Sequence, residues 1–326
     1  MKHIMSIALA LLAFPLFGSE VRLRVLDEDS RPISNADTLV GFAMVRLGSD
    51  VEHIGVTDQN GLYSAVGEAE HSVYVRVRKN GYYDAQLRSL PRDRDLDVTV
   101  VLPMIVHPIP LHARRIELGE SNPLQLLKPN EWLDFDFEVG DMVAPYGVGK
   151  VSDIRFKFTR EFTGWNYSDK EMAESRQRGT NPRRSEDEIR FWYGRWEGNV
   201  EISFPSEKEG LAEEKRFLPY SRLKLPREAP ADGYVPTWHY AANSYDPVTA
   251  RSDIGFFLRT RVKLDKDGNI ISANYAKVFG DFRCDARGLL SFMYYFNPMP
   301  NDRNLEFDPK RNLFPPGTPG VNVSDP

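Results

Sequence analysis

Three groups of residues in this 326-residue chain are of types that do chemistry or bind ligands, and all lie beyond residue 130. The first is the row Asp134, Asp136 and Glu138, at every second position. On a strand, alternate residues share a face and stand roughly 7 Å apart. That overlaps the ~6.5–9.5 Å between the acid and base carboxyls of inverting glycosidases. Hard carboxylate oxygens at that spacing also suit Ca²⁺. The ordinary reading is the solvent face of a strand. Arg155 and Lys157 stand on the polar face of a second alternating run. If the two runs pair, opposite charges meet across the ladder, for roughly 0.2–1 kcal/mol per pair.

The second group is aromatic: Phe191, Trp192, Tyr193 and Trp196 with Arg190 and Arg195, and, further on, Trp238 and Tyr240 around His239. Flat rings beside guanidinium groups can stack sugars or bases. Rings of this size also build cores. A period of two puts Trp192 and Trp196 on one face and Phe191 and Tyr193 on the other. One set then belongs in the core and the other is partly exposed. Trp192, Tyr193, Trp196, Trp238 and Arg195 are the ligand-binding candidates. The third group, Arg259, Arg261 and Lys263, forms a basic row that alternation assigns to a solvated outer face.

Other motifs fail on spacing. Asp265-Lys-Asp267-Gly268-Asn269 has its Gly two positions early for a calcium loop and lacks the downstream Glu. Gly147-Val-Gly149-Lys150 lacks the hydroxyl and the upstream Gly of a phosphate loop. The chain contains no Gly-x-Ser-x-Gly and no His-Glu-x-x-His. His107 and His112 lie an odd number of residues apart in an extended segment, which sends them to opposite faces. Cys284 carries no nucleophile signature, although Arg283 beside it would favour a thiolate. No catalytic residue, metal site or cofactor is assigned.

The elements that must position these residues read as β throughout. Val21, Leu23 and Val25 alternate with Arg22 and Arg24, and Val73, Val75 and Val77 with Tyr74 and Arg76. Turn signals fall between such runs at 27–32, 58–61 and 80–81. Residues 20–104 therefore form a small β-sandwich. The order Arg31-Pro32-Ile33, Asn35-Ala36, Val56-Thr57-Asp58, Asn60-Gly61-Leu62-Tyr63 and Gly81-Tyr82 resembles the carboxypeptidase regulatory-like family. In place of that family's Asp-Gly before the proline stands Ser30-Arg31. The resemblance covers about a quarter of the chain. It implies a seven-stranded transthyretin-like sandwich with an accessory, non-catalytic role.

Prolines at 103, 108, 110, 123 and 129 mark residues 105–130 as an extended connector. Residues 131–296 read as a larger, mostly antiparallel sheet domain, with Lys266-Asp-Gly-Asn269 closing a hairpin. Residues 169–189, dense in both charges, read as a solvated insertion, and 297–326 as an irregular Pro- and Asn-rich tail. The fold class is all-β.

Location is read from the other end. Lys2 and His3 precede the apolar run Ile4–Phe17, and Gly18-Ser19 supplies small residues for cleavage after either, as in a secretory signal peptide. No later segment is apolar enough to span a bilayer, so cleavage leaves no transmembrane anchor. A single cysteine excludes an internal disulfide. The expectation is a secreted or periplasmic bacterial protein. A net charge of −5 argues against a nucleic-acid partner. Three functions remain open. One is a non-catalytic binding or structural protein of the cell envelope, with a polysaccharide or protein partner. The second is a carbohydrate-binding module using the aromatic cluster. The third is a polymer hydrolase using the paired carboxylates.

Overall fold

The computed structural model describes residues 18–44, 50–118, 129–165, 194–216, 218–243, 253–284 and 290–326. The leader Ile4–Phe17 and the charged stretch 169–189 lie outside the described residues. Those described form strands, turns and loops, with no helix among them. The chain is all-β and divides into two compact units. One runs to Ile105 and takes in Tyr220–Arg222; the other holds 106–219 and 223–326.

Among the described residues the first unit has seven strands: β1 (Gly18–Leu26), β2 (Asp37–Phe42), β3 (Val51–Val56), β4 (Leu62–Glu68), β5 (Val73–Arg78), β6 (Ala85–Leu90) and β7 (Leu96–Val101). They form a three-stranded sheet ordered β4-β1-β7 and a four-stranded sheet ordered β3-β2-β5-β6. The alternating valines face inward. Val21, Leu23 and Val25 of β1 join Val40, Phe42, Val73, Val75 and Val77 in one core. Side chains close the turns. Asp27 Oδ1 accepts from the N–H of Asp29 and Arg31, and Asp58 Oδ1 from those of Asn60 and Leu62. Gly61 sits at φ +73°, where a Cβ would meet the Val25 carbonyl oxygen at 2.4 Å, so both its conformation and its space demand glycine.

The second unit contains β8 (His112–Leu118), β9 (Trp132–Asp136), β10 (Asp141–Met142), β11 (Ile154–Trp165), β12 (Gly194–Ser203), β13 (Gly210–Glu214), β14 (Thr237–Asn243), β15 (Gly255–Leu264), β16 (Ile270–Cys284) and β17 (Leu290–Asn297). Two five-stranded sheets, ordered β10-β9-β11-β12-β14 and β13-β15-β16-β17-β8, enclose a core rich in phenylalanine. The second sheet is buried on both faces. Phe256, Val278, Phe292 and Tyr294 face that core, while Phe257, Tyr275, Phe279 and Tyr295 face an outer layer that includes Leu225, Leu305, Phe307 and Val323. The tail beyond β17 has no strand of its own and supplies part of this layer.

Two features differ from the sequence expectation. The proline-marked connector contains β8, an edge strand antiparallel to β17 from Phe296↔His112 to Leu290↔Leu118. Prolines at 110 and 123 flank the strand without entering it, so every residue of it keeps its donor. The basic row is also split. Arg259 lies over the Tyr234 ring at 4.4 Å, on the outer-layer face. A bulge between Thr260 and Lys263, with Arg261 at φ +52°, turns Arg261 to the opposite face. The hairpin at 266–269 forms as expected, with Asp265 Oδ1 accepting from the N–H of Asp267 and Asn269.

Candidate functional site

The carboxylate row does not stand on one face. Asp134 and Arg155 are cross-strand partners on β9 and β11, and Arg155 Nε lies 2.9 Å from Asp134 Oδ1. The Ser152 hydroxyl also donates to Asp134. This is the ladder pairing that alternation allows. Asp136 ends β9 and turns inward instead. Its Oδ1 accepts from the N–H of Glu138 and Val139, and its Oδ2 from those of Lys150 and Val151.

Arg261 arrives from the bulge into the same place. Its Nη2 meets Asp136 Oδ1 at 3.0 Å, and its Nη1 bonds Glu138. Toward Asp153, which is fully buried, it donates twice: Nε to Oδ1 at 2.8 Å and Nη2 to Oδ2 at 2.9 Å. The guanidinium also lies over the Phe296 ring at 4.8 Å. A bidentate arginine fixes carboxylates more firmly than a point charge does. Burial pushes the Asp136 carboxyl up, but four groups outweigh it: the N–H groups of Lys150, Val151 and Val139, and Arg261. They hold Asp136 below the ordinary carboxylate value. For Asp153 burial wins over Arg261 and the Phe137 N–H, and the carboxyl sits above its ordinary value. Glu209 is also raised by burial; its Oε1 accepts from the Val262 N–H at 2.8 Å. Among the described residues, no group of three or more His, Cys, Asp or Glu is arranged to hold a metal ion.

The aromatic candidates divide. Trp192 and Tyr193 lie outside the described residues. Trp196 is on the core-facing side of β12, in line with Val200 and Ile202, and is 8% exposed. Its cross-strand partner Phe162 meets it edge-on, with ring centroids 5.3 Å apart. Arg160 lies over its indole at 4.5 Å, and Trp165 packs edge-on against Phe162 at 5.2 Å. Arg195 is exposed on the other face of β12. Trp238 is elsewhere. It pairs with Ile202 and packs against Phe256 at 5.4 Å, partly buried on the main core. Six residues of strand separate Ile202 from Trp196, roughly 20 Å at ~3.3 Å per residue. Trp196 and Trp238 therefore do not make one platform.

Sequence reasoning missed Arg160, Phe162 and Trp165. Their signal was continuation: the buried row Ile154, Phe156 and Phe158 runs on at the same period to Arg160 and Phe162, with a shift in pairing after Phe162. The half-buried rings of Phe162 and Trp165 beside Arg160 form one group that offers ring surface together with a cation, and half-buried Trp132 under Arg155 and Lys157 is another.

No protein-family model and no curated protein matches the chain. Similar solved structures are remote. One is a 3-chlorocatechol 1,2-dioxygenase from Rhodococcus opacus 1CP, at 10% identity and TM-score 0.24, over 29% of this chain and 62% of that one. Another is BcpA, the major pilin subunit of Bacillus cereus, at 10% identity and TM-score 0.21, over 85% of this chain and 67% of that one. The Bacillus anthracis TIE protein aligns at 8% identity and TM-score 0.21, over 87% of this chain and 46% of that one. The chain thus spans less than two thirds of the dioxygenase.

Proposed function

We propose that the protein is an exported, non-catalytic component of the cell envelope, acting in binding or assembly. One observation carries this reading. Asp134, Asp136 and Glu138, the residues best suited by type to acid–base chemistry, are all held in ion pairs with Arg155 or Arg261. A general acid needs a carboxyl free to carry and release a proton at the reacting bond. Here the carboxylates hold the fold together. The first unit is read with this as a carboxypeptidase regulatory-like accessory domain. Its two sheets of three and four strands and its turn-forming Asp58-Gln-Asn-Gly61 support that reading. The test is incubation with a panel of envelope polysaccharides. No product should be released, and turnover that falls in Asp134→Asn would overturn the proposal.

A second reading is favoured by the ring group at the end of β11 and β12. Phe162 and Trp165 with Arg160 would stack a sugar face, with Trp196 supporting them from beneath. Retention of the protein on an immobilised polysaccharide should then fall tenfold or more in Trp165→Ala and stay unchanged in Trp238→Ala. Equal retention of both variants and the unmodified protein would exclude the ring group as the binding surface.

A further inference from the structure

The first unit covers one edge of its four-stranded sheet and, among the described residues, leaves the other bare. At β6 the edge is taken by Tyr220–Arg222, which belongs to this unit. The Gln86 N–H donates to the Tyr220 carbonyl at 2.8 Å, and the Arg222 N–H to the Asp84 carbonyl at 3.0 Å. Ser221 bridges Ala85 between them in the antiparallel sense. The opposite edge is β3. It pairs with β2 without a shift from Asp37↔Val56 to Phe42↔Val51, and no other strand of the described residues pairs with it.

The direction of its free groups follows from the register. The Thr57 N–H, one residue beyond β3, donates to the Ala36 carbonyl on the β2 side. Along an antiparallel strand, successive residues turn their backbone groups to opposite edges. Those of Gly55 and His53 therefore point to β2, and those of Val56, Ile54 and Glu52 point outward. The side chains divide in the same way. Val40 and Phe42 face the core, so their cross-strand partners His53 and Val51 do too. Glu52, Ile54 and Val56 share the outer face, where Ile54 is 75% exposed and Val56 52%. On the core side, the Tyr63 ring stands 2.3 Å from where a Gly55 Cβ would be, so the edge is backed by packed structure. Natural sheets blunt a bare edge with Lys, Pro or a bulge. The strand Val-Glu-His-Ile-Gly-Val has none of these.

Charge says what fits. The Tyr74 hydroxyl donates to Glu52 Oε1 at 2.7 Å and holds that carboxylate on the outer face. From Asp50 to Glu70 the sequence has five carboxylates and no Lys or Arg. A second copy of the chain would set this carboxylate margin against itself. A strand with a cation opposite Glu52 and apolar side chains opposite Ile54 and Val56 matches the edge at all three positions.

We propose that β3 is a docking edge for an extended segment of a partner protein, every second residue of which reads apolar, apolar, then Lys or Arg. Main-chain bonds to Glu52, Ile54 and Val56 supply the pairing, and the alternate side chains supply the selection. The proposal deepens the reading of the protein as one that acts in binding or assembly, and rests on it.

The test uses the full chain and the capped peptide Thr-Val-Thr-Val-Thr-Lys-Thr at millimolar concentration, with amide hydrogen exchange read residue by residue. In the free protein, His53 and Gly55 should be protected and Glu52, Ile54 and Val56 should not. With the peptide these three should slow in step with occupancy, about tenfold at ten times Kd. The same peptide with Glu in place of Lys, or N-methylated throughout, should leave them fast. Glu52→Lys should reverse the preference, so that the glutamate peptide protects and the lysine peptide does not. No slowing with the lysine peptide, equal slowing with either control peptide, or an unchanged preference in Glu52→Lys overturns the proposal. So does slow exchange at the same three amides in the free protein together with a dimer by sedimentation, which gives the edge to a second copy. The polysaccharide test of turnover reads a different property, so the docking edge can fail while the non-catalytic reading stands.

Discussion

Replacing Arg261 with methionine removes the cation that Asp136, Glu138 and Asp153 share. The three would not suffer equally. Asp136 keeps four backbone N–H donors, and Glu138 is half exposed. Asp153 is fully buried and, of its hydrogen bonds from the described residues, would keep only that from the Phe137 N–H. Breaking a buried pair by removing one partner costs about 3–5 kcal/mol. Loss of that order is expected at pH 7. Its pH dependence follows from the raised Asp153 value. A carboxyl whose folded value lies above its unfolded value contributes stability below the unfolded value and loses it as pH rises through the folded one. Without Arg261 the folded value rises further, so the deficit should grow from about pH 4 to pH 7. Urea unfolding by tryptophan fluorescence measures this in the right place, because all five tryptophans lie in the second unit. Adding Asp153→Asn removes the stranded charge and should recover about 1–3 kcal/mol at pH 7. A loss under about 1 kcal/mol, or equal losses at pH 4.5 and 7, would refute the account of Arg261 as the counter-ion of a buried carboxylate.

Two smaller effects follow from the same bookkeeping of burial. Thr57 is buried, and its hydroxyl donates to the Ile33 carbonyl at 2.7 Å while accepting from the Ala36 N–H at 2.9 Å. Thr57→Val keeps the shape and strands both partners, so the first unit should lose about 1–3 kcal/mol, read from hydrogen exchange at β2 and β4. Asp134→Asn should cost less than about 1 kcal/mol by the urea measurement, because both side chains of its pair with Arg155 are about a third exposed.

These predictions mark where sequence could and could not reach. Alternation found the facing polar rows of β9 and β11, and so the Asp134–Arg155 pair, because both strands stay regular there. The 58–61 and 266–269 turns were readable because an aspartate closes each on its own backbone. The same rule failed at Asp136, where β9 ends, and at Arg261, where a bulge reverses the face. Neither break leaves a residue-type signal. Arg261 adopts φ +52° with no glycine beside it to announce the turn. The hub that fixes one edge of the second unit is therefore built from Asp153 and Arg261, 108 residues apart, with no local pattern to join them.

Lys277 shows the opposite case, a regular strand with a misleading pattern. In β16, Tyr275, Lys277 and Phe279 alternate with Ala276 and Val278, and a lysine on the less apolar row reads as pointing to water. That inference assumes one solvated face per sheet. It fails here because residues of the irregular tail, Leu305, Phe307 and Val323, cover the second face, and nothing periodic marks them as core. Whether a lysine on such a strand is solvated or buried is decided by a segment 28–46 residues further along the chain. Long-range cover is thus the reason the sequence hides Lys277.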